Sequence, residues 1–268
     1  MTRAPVNPDV TEAEASAAAA ERASGVTIRN LTEIDEINEV TDLLALIWGR
    51  PDNPPISSEL LRALGKADNY IGGAYDGDEL VGACVGFHAS PNTRILHSHI
   101  AGVSPSAAGR HVGYALKLHQ RAWALSRDIG IIEWTYDPLV ARNAHFNLVK
   151  LGALPAEYLT NFYGEMHDVI NGGDDTDRLL VTWDLTSPEV VAACRGVRRE
   201  PVAPAGAIRV AVPADIESLR LASPAESRAW RLEVRAELAA HLAGGGRIVG
   251  FDRAAGYVLV PAAEAAQP

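Results

Sequence analysis

Hydrophobic and polar positions along residues 26–186 follow two periods, which predict an alternating order of strands and helices. Val26-Thr27-Ile28-Arg29 alternates like a strand, and apolar residues then recur at helical spacing behind Thr32, the predicted N-cap. Strands at 69–75 and 80–87 flank the hairpin signal Asp76-Gly77-Asp78. Further strands are predicted at 94–103, 131–136 and 179–185, and helices at 58–66, 112–127 and 143–151. This order belongs to the α/β (α+β) class.

The chain ends carry different patterns and predict four segments. Residues 1–25 are rich in Ala and Glu, which predicts a disordered tail with a frayed helix as the alternative. Residues 26–186 form the main domain, and residues 187–206 resemble a linker. Residues 207–268 show a strand, two helices and two short strands, which predicts a small C-terminal α/β subdomain packed on the core. It would complete the acceptor side of a site or a dimer contact.

Composition excludes several classes of protein. The 268 residues are 47% hydrophobic and 22% charged, as in soluble globular proteins. A net charge of -10 argues against nucleic acid and anionic membranes as partners. Without an apolar run of ~20 residues or a signal-type segment, we expect a cytoplasmic protein. Cys84 and Cys194 are too few for a disulfide framework or a metal cluster, so we expect two buried thiols and no metal.

The segment from Ile100 to Lys117 carries the strongest chemical signal. It is a predicted strand, a loop of Ser, Ala and Gly, and a helix. Small residues let the backbone approach a ligand, and free amides at a helix start form an anion site. Taken alone, the segment predicts a phosphate site, with an ordinary strand-to-helix turn as the alternative.

Two motifs resemble those of the GNAT acyltransferase superfamily over about 160 residues. Val103-x-Pro105, followed by Gly109-Arg110-His111-Val112-Gly113 and Ala115-Leu116-Lys117, is similar to its acyl-CoA signature. The run from Asn143 to Gly152 resembles the second motif. Four shorter sequence segments resemble a bacterial branch of predicted acetyltransferases, some of which are associated with N-acylamino acid racemases. They are Ser98-His99, Leu116-Lys117-x-x-Gln120-Arg121, Trp134-Thr135-Tyr136-Asp137-Pro138-Leu139 and Asn161-Phe162-Tyr163-Gly164.

The resemblance implies a mixed, twisted sheet flanked by helices and an acyl-CoA co-substrate, acetyl-CoA or a succinyl relative. It implies a cofactor site formed by Gly102, Val103, Ala108, Gly109, Arg110, His111, Val112, Gly113, Tyr114, Asn143, Phe146 and Asn147. Ala108 and His111 depart from the usual Gln/Arg and Gly. A second alignment, Arg110-x-x-Gly113-x-Ala115, fits the acyl-CoA signature but lies two residues further into the helix.

Acyl transfer to an amine needs a base, a polarised carbonyl and a proton for the departing thiolate. Backbone amides near Gly102 and Val103 can polarise the carbonyl. His97 and His99 alternate on one strand face, which makes His99 a candidate base, with a structural histidine as the alternative. Asp137 is a second candidate, although an Asp before Pro is commonly a turn residue. Leu148 replaces the superfamily's usual tyrosine acid, so Tyr163, Tyr158 or water would serve.

Two arginine segments are candidates for binding anionic substrates. The run 172–178 predicts a solvated turn, or an acceptor loop in which Arg178 pairs a carboxylate. One face of a predicted helix carries Arg228, Arg231 and Arg235. We predict that this face is solvated and that neighbouring glutamates balance its charge. The alternative is a lid over an anionic acyl group.

Three functions follow from these patterns. The favoured one is an acyl-CoA-dependent N-acyltransferase acting on a small-molecule amine such as an amino acid, as a monomer or homodimer. The alternative is a degenerate module that binds or senses acyl-CoA. A dinucleotide turn is weaker, because the G-x-G-x-x-G spacing is absent.

Overall fold

The computed structural model describes residues 8–164, 166, 173–197, 204 and 206–262. The chain divides into two compact units. Unit 1 comprises Met1–Glu133 and Asp184–Ser187, and unit 2 comprises Trp134–Trp183 and Pro188–Pro268. The division therefore falls inside a strand near residue 133, whereas the sequence pattern placed a boundary after residue 186.

Unit 1 is a sheet covered by helices on both faces. Its helices are α1 (Pro8–Ser24), α2 (Ile34–Trp48), α3 (Ser58–Lys66) and α4 (Val112–Leu125). Its strands are β1 (Thr27–Asn30), β2 (Tyr70–Asp76), β3 (Glu79–His88), β4 (Ile95–Val103) and the first half of β5 (Ile131–Tyr136), in the order β1-β2-β3-β4-β5. The β4–β5 pair is parallel and the other pairs are antiparallel.

Strand β3 shows how side-chain alternation buries both faces. Ala83 and Val85 join a core cluster with Ile37 and Leu44 of α2. Cys84 points to the opposite face and, like the other cysteine, is a buried free thiol, as predicted. A strand buried on both sides needs apolar residues throughout, which explains the continuous run seen in the sequence.

Helix α2 begins one residue later than predicted. The N-cap is Glu33, not Thr32, and it forms a capping box with Glu36. Gly49 ends the helix at φ 64°, in the left-handed region that suits glycine.

The prediction of a disordered tail is wrong for residues 8–24, which form α1; residues 1–7 lie outside the described residues. Ala13 and Ala17 are buried, and α1 packs against α4. The Glu12 carboxylate lies 2.8 Å from a guanidinium nitrogen of Arg121, which is fully buried. The apolar stripe consists of alanine instead of larger residues, so its period is weak in the sequence.

Unit 2 begins with the second half of β5. It continues with α5 (Ala141–Ala144), a π-helical turn (His145–Lys150), β6 (Leu154–Leu159), β7 (Arg178–Asp184) and α6 (Pro188–Cys194). The last elements are β8 (Ile208–Val210), α7 (Ile216–Ala222), α8 (Pro224–Ala243), β9 (Arg247–Asp252) and β10 (Gly256–Val260). The strand orders are β5-β7-β6 and β8-β10-β9.

Strand β5 continues across the division, so seven strands form one mixed sheet, in the order β1-β2-β3-β4-β5-β7-β6. The predicted α/β class with a mixed sheet flanked by helices is confirmed. Strand β6 was not predicted, because Pro155 and the exposed Leu154 give it no alternation. Within unit 2, α8 and β9 of the C-terminal region pack against β6.

Two further details differ from the predictions. Helix α6 occupies part of the expected linker 187–206, whose residues 198–203 and 205 lie outside the described residues. The helix predicted from Asn143 to Leu151 begins earlier, with Val140 as N-cap, and it becomes π-helical at His145. Asn143 is therefore inside a helix and does not cap it, while Gly152 ends the segment at φ 72°, as predicted.

Candidate functional site

A β-bulge interrupts strand β4 in unit 1. Val85 of β3 faces Ile100, but its neighbour Gly86 faces Ser98, so His99 is an extra residue opposite β3. On the other edge, the described part of unit 1 pairs β4 with β5 at Ile95, Leu96 and His97. The strand beyond His97 thus combines a bulge with an edge that is not paired inside unit 1. Bulges of this kind are common beside active sites, because they redirect the backbone.

His97 and His99 lie together on one face, as the alternation predicted. Their ring centroids are 6.1 Å apart, and Phe87 lies 5.1 Å from the first and 5.6 Å from the second. Desolvation lowers the pKa of both imidazoles, and for His97 the neighbouring His99 and Lys117 add to the effect. The His99 side chain keeps an exposed edge, so a neutral imidazole is available to accept a proton near pH 7.

Gly102 near the end of β4 packs tightly against α2. A Cβ at this position would lie 2.8 Å from Ile47 Cδ1 and 3.0 Å from a ring carbon of Trp48. A larger residue would therefore push the strand end away from the helix, so Gly102 sets how closely the backbone passes over α2.

The loop after β4 is short and exposed. Ser104 caps a single 3₁₀ turn, Pro105–Ala107, and its hydroxyl accepts a hydrogen bond from the Ser106 amide at 3.4 Å. Gly109 has φ 80°, and a Cβ added there would have no atom within 4 Å. The backbone of this loop is therefore accessible to a ligand from outside.

His111 occupies the N-cap of α4 in the left-handed conformation, with φ 64°, and its side chain makes no capping hydrogen bond. The first amides of a helix have no partner inside it, so the start of α4 presents donors together with the positive end of the helix dipole. His111 thus stands in a conformation that glycine adopts without strain, at the position where the superfamily signature has glycine.

The side chain of Arg110 turns away from the helix start. Its guanidinium donates to the Asp76 carboxylate and to the carbonyl oxygens of Ser24 and Gly25, at 3.3 Å and 3.2 Å. Arg110 therefore links the loop to the end of α1 through its side chain.

Three other predicted cofactor residues lie in unit 2. Asn143 is half-buried in α5, and Phe146 is half-buried in the π-helical turn. Asn147 is buried, and its Oδ1 accepts a hydrogen bond from Trp134 Nε1 at 3.2 Å, which gives it a structural role. π-Helical turns cost stability and are frequent at functional sites.

Asp137, a candidate base in the sequence, is buried and bound by two arginines. Arg220 donates to its carboxylate at 2.5 Å, and Arg231 donates at 2.7 Å and 2.9 Å. Burial alone would raise its pKa, but hydrogen bonds and charge from Arg231 and charge from Arg220 lower the pKa of Asp137 to about 2. A carboxylate with so low a pKa is a weak base, and its two oxygens are occupied by the two arginines.

Two of the three arginines of α8, Arg231 and Arg235, are engaged in ion pairs and do not form a solvated face. Arg231 is 1% exposed and also reaches Asp174 at 3.2 Å. Arg235 binds Asp175 at 2.7 Å and Asp177 at 2.8 Å. The partners lie on the loop before β7, so the sequence interpretation of balance by glutamates of the same helix was wrong. Arg228 remains exposed.

The segment 173–178 is not a solvated turn, and Gly172 lies outside the described residues. Thr176 and Asp177 are fully buried. Arg178 is buried too: its guanidinium donates to the Asp177 carbonyl at 2.9 Å and lies 5.3 Å from the ring centre of Tyr163. Burial lowers the pKa of Arg178, and the negative charge of Asp137 opposes that effect.

The two candidate tyrosine acids differ. Tyr158 donates to Asp177 at 2.6 Å, and burial together with that carboxylate raises its pKa, so its proton is held firmly. Tyr163 is exposed, and its hydroxyl lies 3.2 Å from Thr135 Oγ1. Tyr163 is therefore the more exposed of the two hydroxyl-bearing side chains.

Lys117 of α4 is the feature that sequence reasoning missed. It is buried, and its Nζ donates to Ser98 Oγ at 3.0 Å and Gln120 Oε1 at 2.8 Å. Desolvation lowers the pKa of Lys117 to about 8. Ser98, Lys117 and Gln120 all occur in sequence segments that resemble acetyltransferases. Helical spacing alone, however, does not show that a lysine faces a sheet.

The fold resembles that of a solved structure described as a probable acetyltransferase. The model superposes with TM-score 0.51 on a probable acetyltransferase from Staphylococcus epidermidis, which is 16% identical, with 60% of this chain and 99% of that chain covered. An acetyltransferase of the GNAT family from Streptococcus pneumoniae gives TM-score 0.49 at 14% identity, over 59% and 97% of the two chains. An aminoglycoside 6'-acetyltransferase type Ii gives 0.48 at 21%, over 60% and 98%.

No protein-family model matches this chain, and no curated protein does. In the described part of the chain, no helix is long and apolar enough to cross a bilayer.

Proposed function

We propose that this protein is an acyl-CoA-dependent N-acyltransferase, which transfers an acetyl or succinyl group to the amine of a small molecule such as an amino acid. One observation carries the proposal: a bulged β4 leads through a loop of small residues into the exposed start of α4. This arrangement supplies backbone donors both for a thioester carbonyl and for a pyrophosphate.

The transfer is a direct attack. The ammonium group of the acceptor loses a proton, its nitrogen attacks the thioester carbonyl carbon, and the C–N bond forms as the C–S bond breaks. A second proton leaves the nitrogen, and one proton reaches the departing thiolate. Direct attack is favoured because both cysteines are buried and neither is a credible nucleophile.

The residues of unit 1 would have three roles, which are to polarise the carbonyl, bind the pyrophosphate and accept a proton. Backbone amides around Gly102 and Val103 would polarise the carbonyl, and the loop from Ala108 to Tyr114 would hold the pyrophosphate. His99 would take the first proton, because its lowered pKa keeps the imidazole neutral near pH 7.

The residues of unit 2 supply the remaining candidate roles. Tyr163, exposed and hydrogen-bonded to Thr135, would protonate the thiolate. Asn143 and Phe146 would contact the cofactor arm. Arg178 would recognise a carboxylate on the acceptor or on a succinyl group, because a guanidinium offers a paired set of donors.

A thiol-release assay tests the proposal with acetyl-CoA and succinyl-CoA against a panel of amino acids and simple amines. We expect CoA release that depends on the acceptor and falls by about 10²-fold or more in His99→Ala. His88→Ala, an exposed histidine on β3, is the matched control and should retain the wild-type rate.

The second candidate function is an acyl-CoA-binding sensor. It is favoured by Leu148 at the usual acid position and by the engagement of Arg110 with Asp76. Calorimetry separates the two functions: acyl-CoA binding without turnover would establish the sensor, and absence of binding would exclude both.

A further inference from the structure

A buried polar cluster underlies the bulge of β4 in unit 1. Lys117 Nζ lies 3.0 Å from Ser98 Oγ and 2.8 Å from Gln120 Oε1, and Cys84 Sγ lies 3.7 Å from Ser98 Oγ. These side chains are buried between α4 and the sheet. Burying an amine is costly, and an apolar side chain of the same length would fill the space without that cost.

The cluster contacts β4 at the residue next to the bulge. Ser98 is the last residue of β4 in register with β3 before His99 is inserted, and it faces Gly86. Gly86 makes room for the cluster, because a Cβ there would lie 3.0 Å from Gln120 Nε2 and 3.1 Å from the His97 carbonyl oxygen. The hydrogen bond from Lys117 to Ser98 therefore restrains the strand at the point where its register changes.

A register change needs such a restraint. A one-residue slip would return β4 to regular pairing and turn each following side chain to the other face. His99 would then move from the bulge to the position opposite Val85, and the amides around Gly102 would change direction. In a strand that also lacks pairing on its second edge inside unit 1, the contact from α4 opposes this slip.

We propose that Lys117 is a positioning residue, which acts through Ser98 to hold the bulge of β4 and thereby orients His99 and the backbone from Ile100 to Gly102. The inference rests on the proposed acyltransferase function for its catalytic consequence. Its structural consequence, a bulge held by Lys117, does not depend on that function.

The surroundings of Lys117 add a pH signature. The titratable groups that face it are Cys84 on β3 and His97 on β4, with Tyr70 of β2 beside Cys84. On α4 itself the neighbour is the uncharged Gln120, and α1, which also packs on α4, directs Glu12 to Arg121. Loss of the Lys117 proton near pH 8 would weaken the restraint, so turnover should acquire a basic limb there.

The test compares Lys117→Met and Ser98→Ala with the control Leu118→Met, a buried apolar exchange on the same helix. We expect both test variants to remain folded, with Lys117→Met at least as resistant to urea as the wild type. Amide hydrogen exchange at His99, Ile100 and Ala101 should accelerate by about tenfold, while exchange in β2 stays unchanged.

In the acyl-transfer assay, kcat should fall by about tenfold or more with KM for acyl-CoA within about twofold, and the limb near pH 8 should disappear in Lys117→Met. A merely structural lysine would alter stability without this pattern. Wild-type exchange and an unchanged kcat in Lys117→Met would overturn the inference. If the wild-type protein shows no transfer at all, the proposed function fails, and the exchange measurement still decides the role of Lys117.

Discussion

The loop between β4 and α4 in unit 1 and the ion-pair cluster in unit 2 differ in how their polar groups are engaged. The loop, residues 104–111, is exposed except at Ser104 and Ala107, and the donors available beside it are the first backbone amides of α4. The ion-pair cluster, defined as Asp137, Asp174, Asp175, Asp177, Arg220, Arg231 and Arg235, pairs its side chains with one another.

The comparison teaches that charged residues near a predicted site are not evidence of catalysis by themselves. Asp137, Arg231 and Arg235 look like functional groups in the sequence, yet each has a partner of opposite charge. The loop carries little charge, yet it leads to the available backbone donors at the start of α4. Availability of a group to solvent and ligand, not its formal charge, separates the two regions.

Removing one member of the ion-pair cluster should give the largest loss in the free energy of unfolding. Arg231→Ala leaves the buried Asp137 carboxylate with only Arg220 and the Leu139 amide among the contacts described for it, and we expect the free energy of unfolding to fall by about 3–5 kcal/mol. Urea unfolding followed by fluorescence measures the loss. Arg228→Ala, one turn earlier and exposed, should change stability by less than about 0.5 kcal/mol. A small effect at Arg231 would mean that the cluster is solvated and that the contrast between the regions is false.

The buried amine of unit 1 should produce a pH dependence of stability. The pKa of Lys117 is about 8 in the folded protein and 10.5 in a model compound. The unfolded chain therefore binds more protons between these values, so stability should rise with pH from about 8 to 10.5, by roughly 3 kcal/mol in total. Urea titrations in this range should show the rise, and Lys117→Met should remove it. An equal slope in wild type and variant would contradict the burial of a titrating amine.

The ion pair between α1 and α4 is a smaller test, in the unit that also carries the loop. Glu12→Gln removes the carboxylate beside the buried Arg121 guanidinium, which still donates to the Leu185 carbonyl. We expect a loss of about 2 kcal/mol in urea unfolding, because the arginine keeps two hydrogen bonds but loses its carboxylate. Glu14→Gln, exposed on the same helix, is the matched control. If Glu12→Gln behaved like this control, α1 would not be held by the pair.

The smallest effect concerns the loop itself. His111→Gly removes the strain of a left-handed non-glycine residue, offset by greater freedom of the unfolded chain, so we expect a gain of about 0.5–1 kcal/mol. Calorimetry should also show a changed affinity for acetyl-CoA, because the side chain stands at the start of α4. An unchanged affinity would place His111 away from the phosphates and weaken the loop's assignment.

Local pattern was sufficient for much of the fold. The strand at 131–136 and the start of α4 at Val112 agree with the predicted positions, because strand alternation and helical spacing are properties of neighbouring residues. Helix α1 and strand β6 were missed for the complementary reason. Their burial depends on partners far along the chain, and alanine or Pro155 leaves no strong period to detect.

The candidate site divides in the same way. The loop of small residues, the pairing of His97 with His99 on one face and the resemblance to an acyl-CoA signature were all readable from consecutive residues. The sequence alone thus determined the α/β order of elements and the position of the proposed cofactor loop.

Only the tertiary structure decided which polar side chains are available. It paired Asp137 with Arg220 and Arg231, directed Tyr158 to Asp177, inserted His99 as a bulge and brought Lys117 to Ser98. Each of these contacts joins residues at least 19 positions apart or depends on register between strands. Long-range proximity sets burial, partner and pKa, and no local periodicity encodes it.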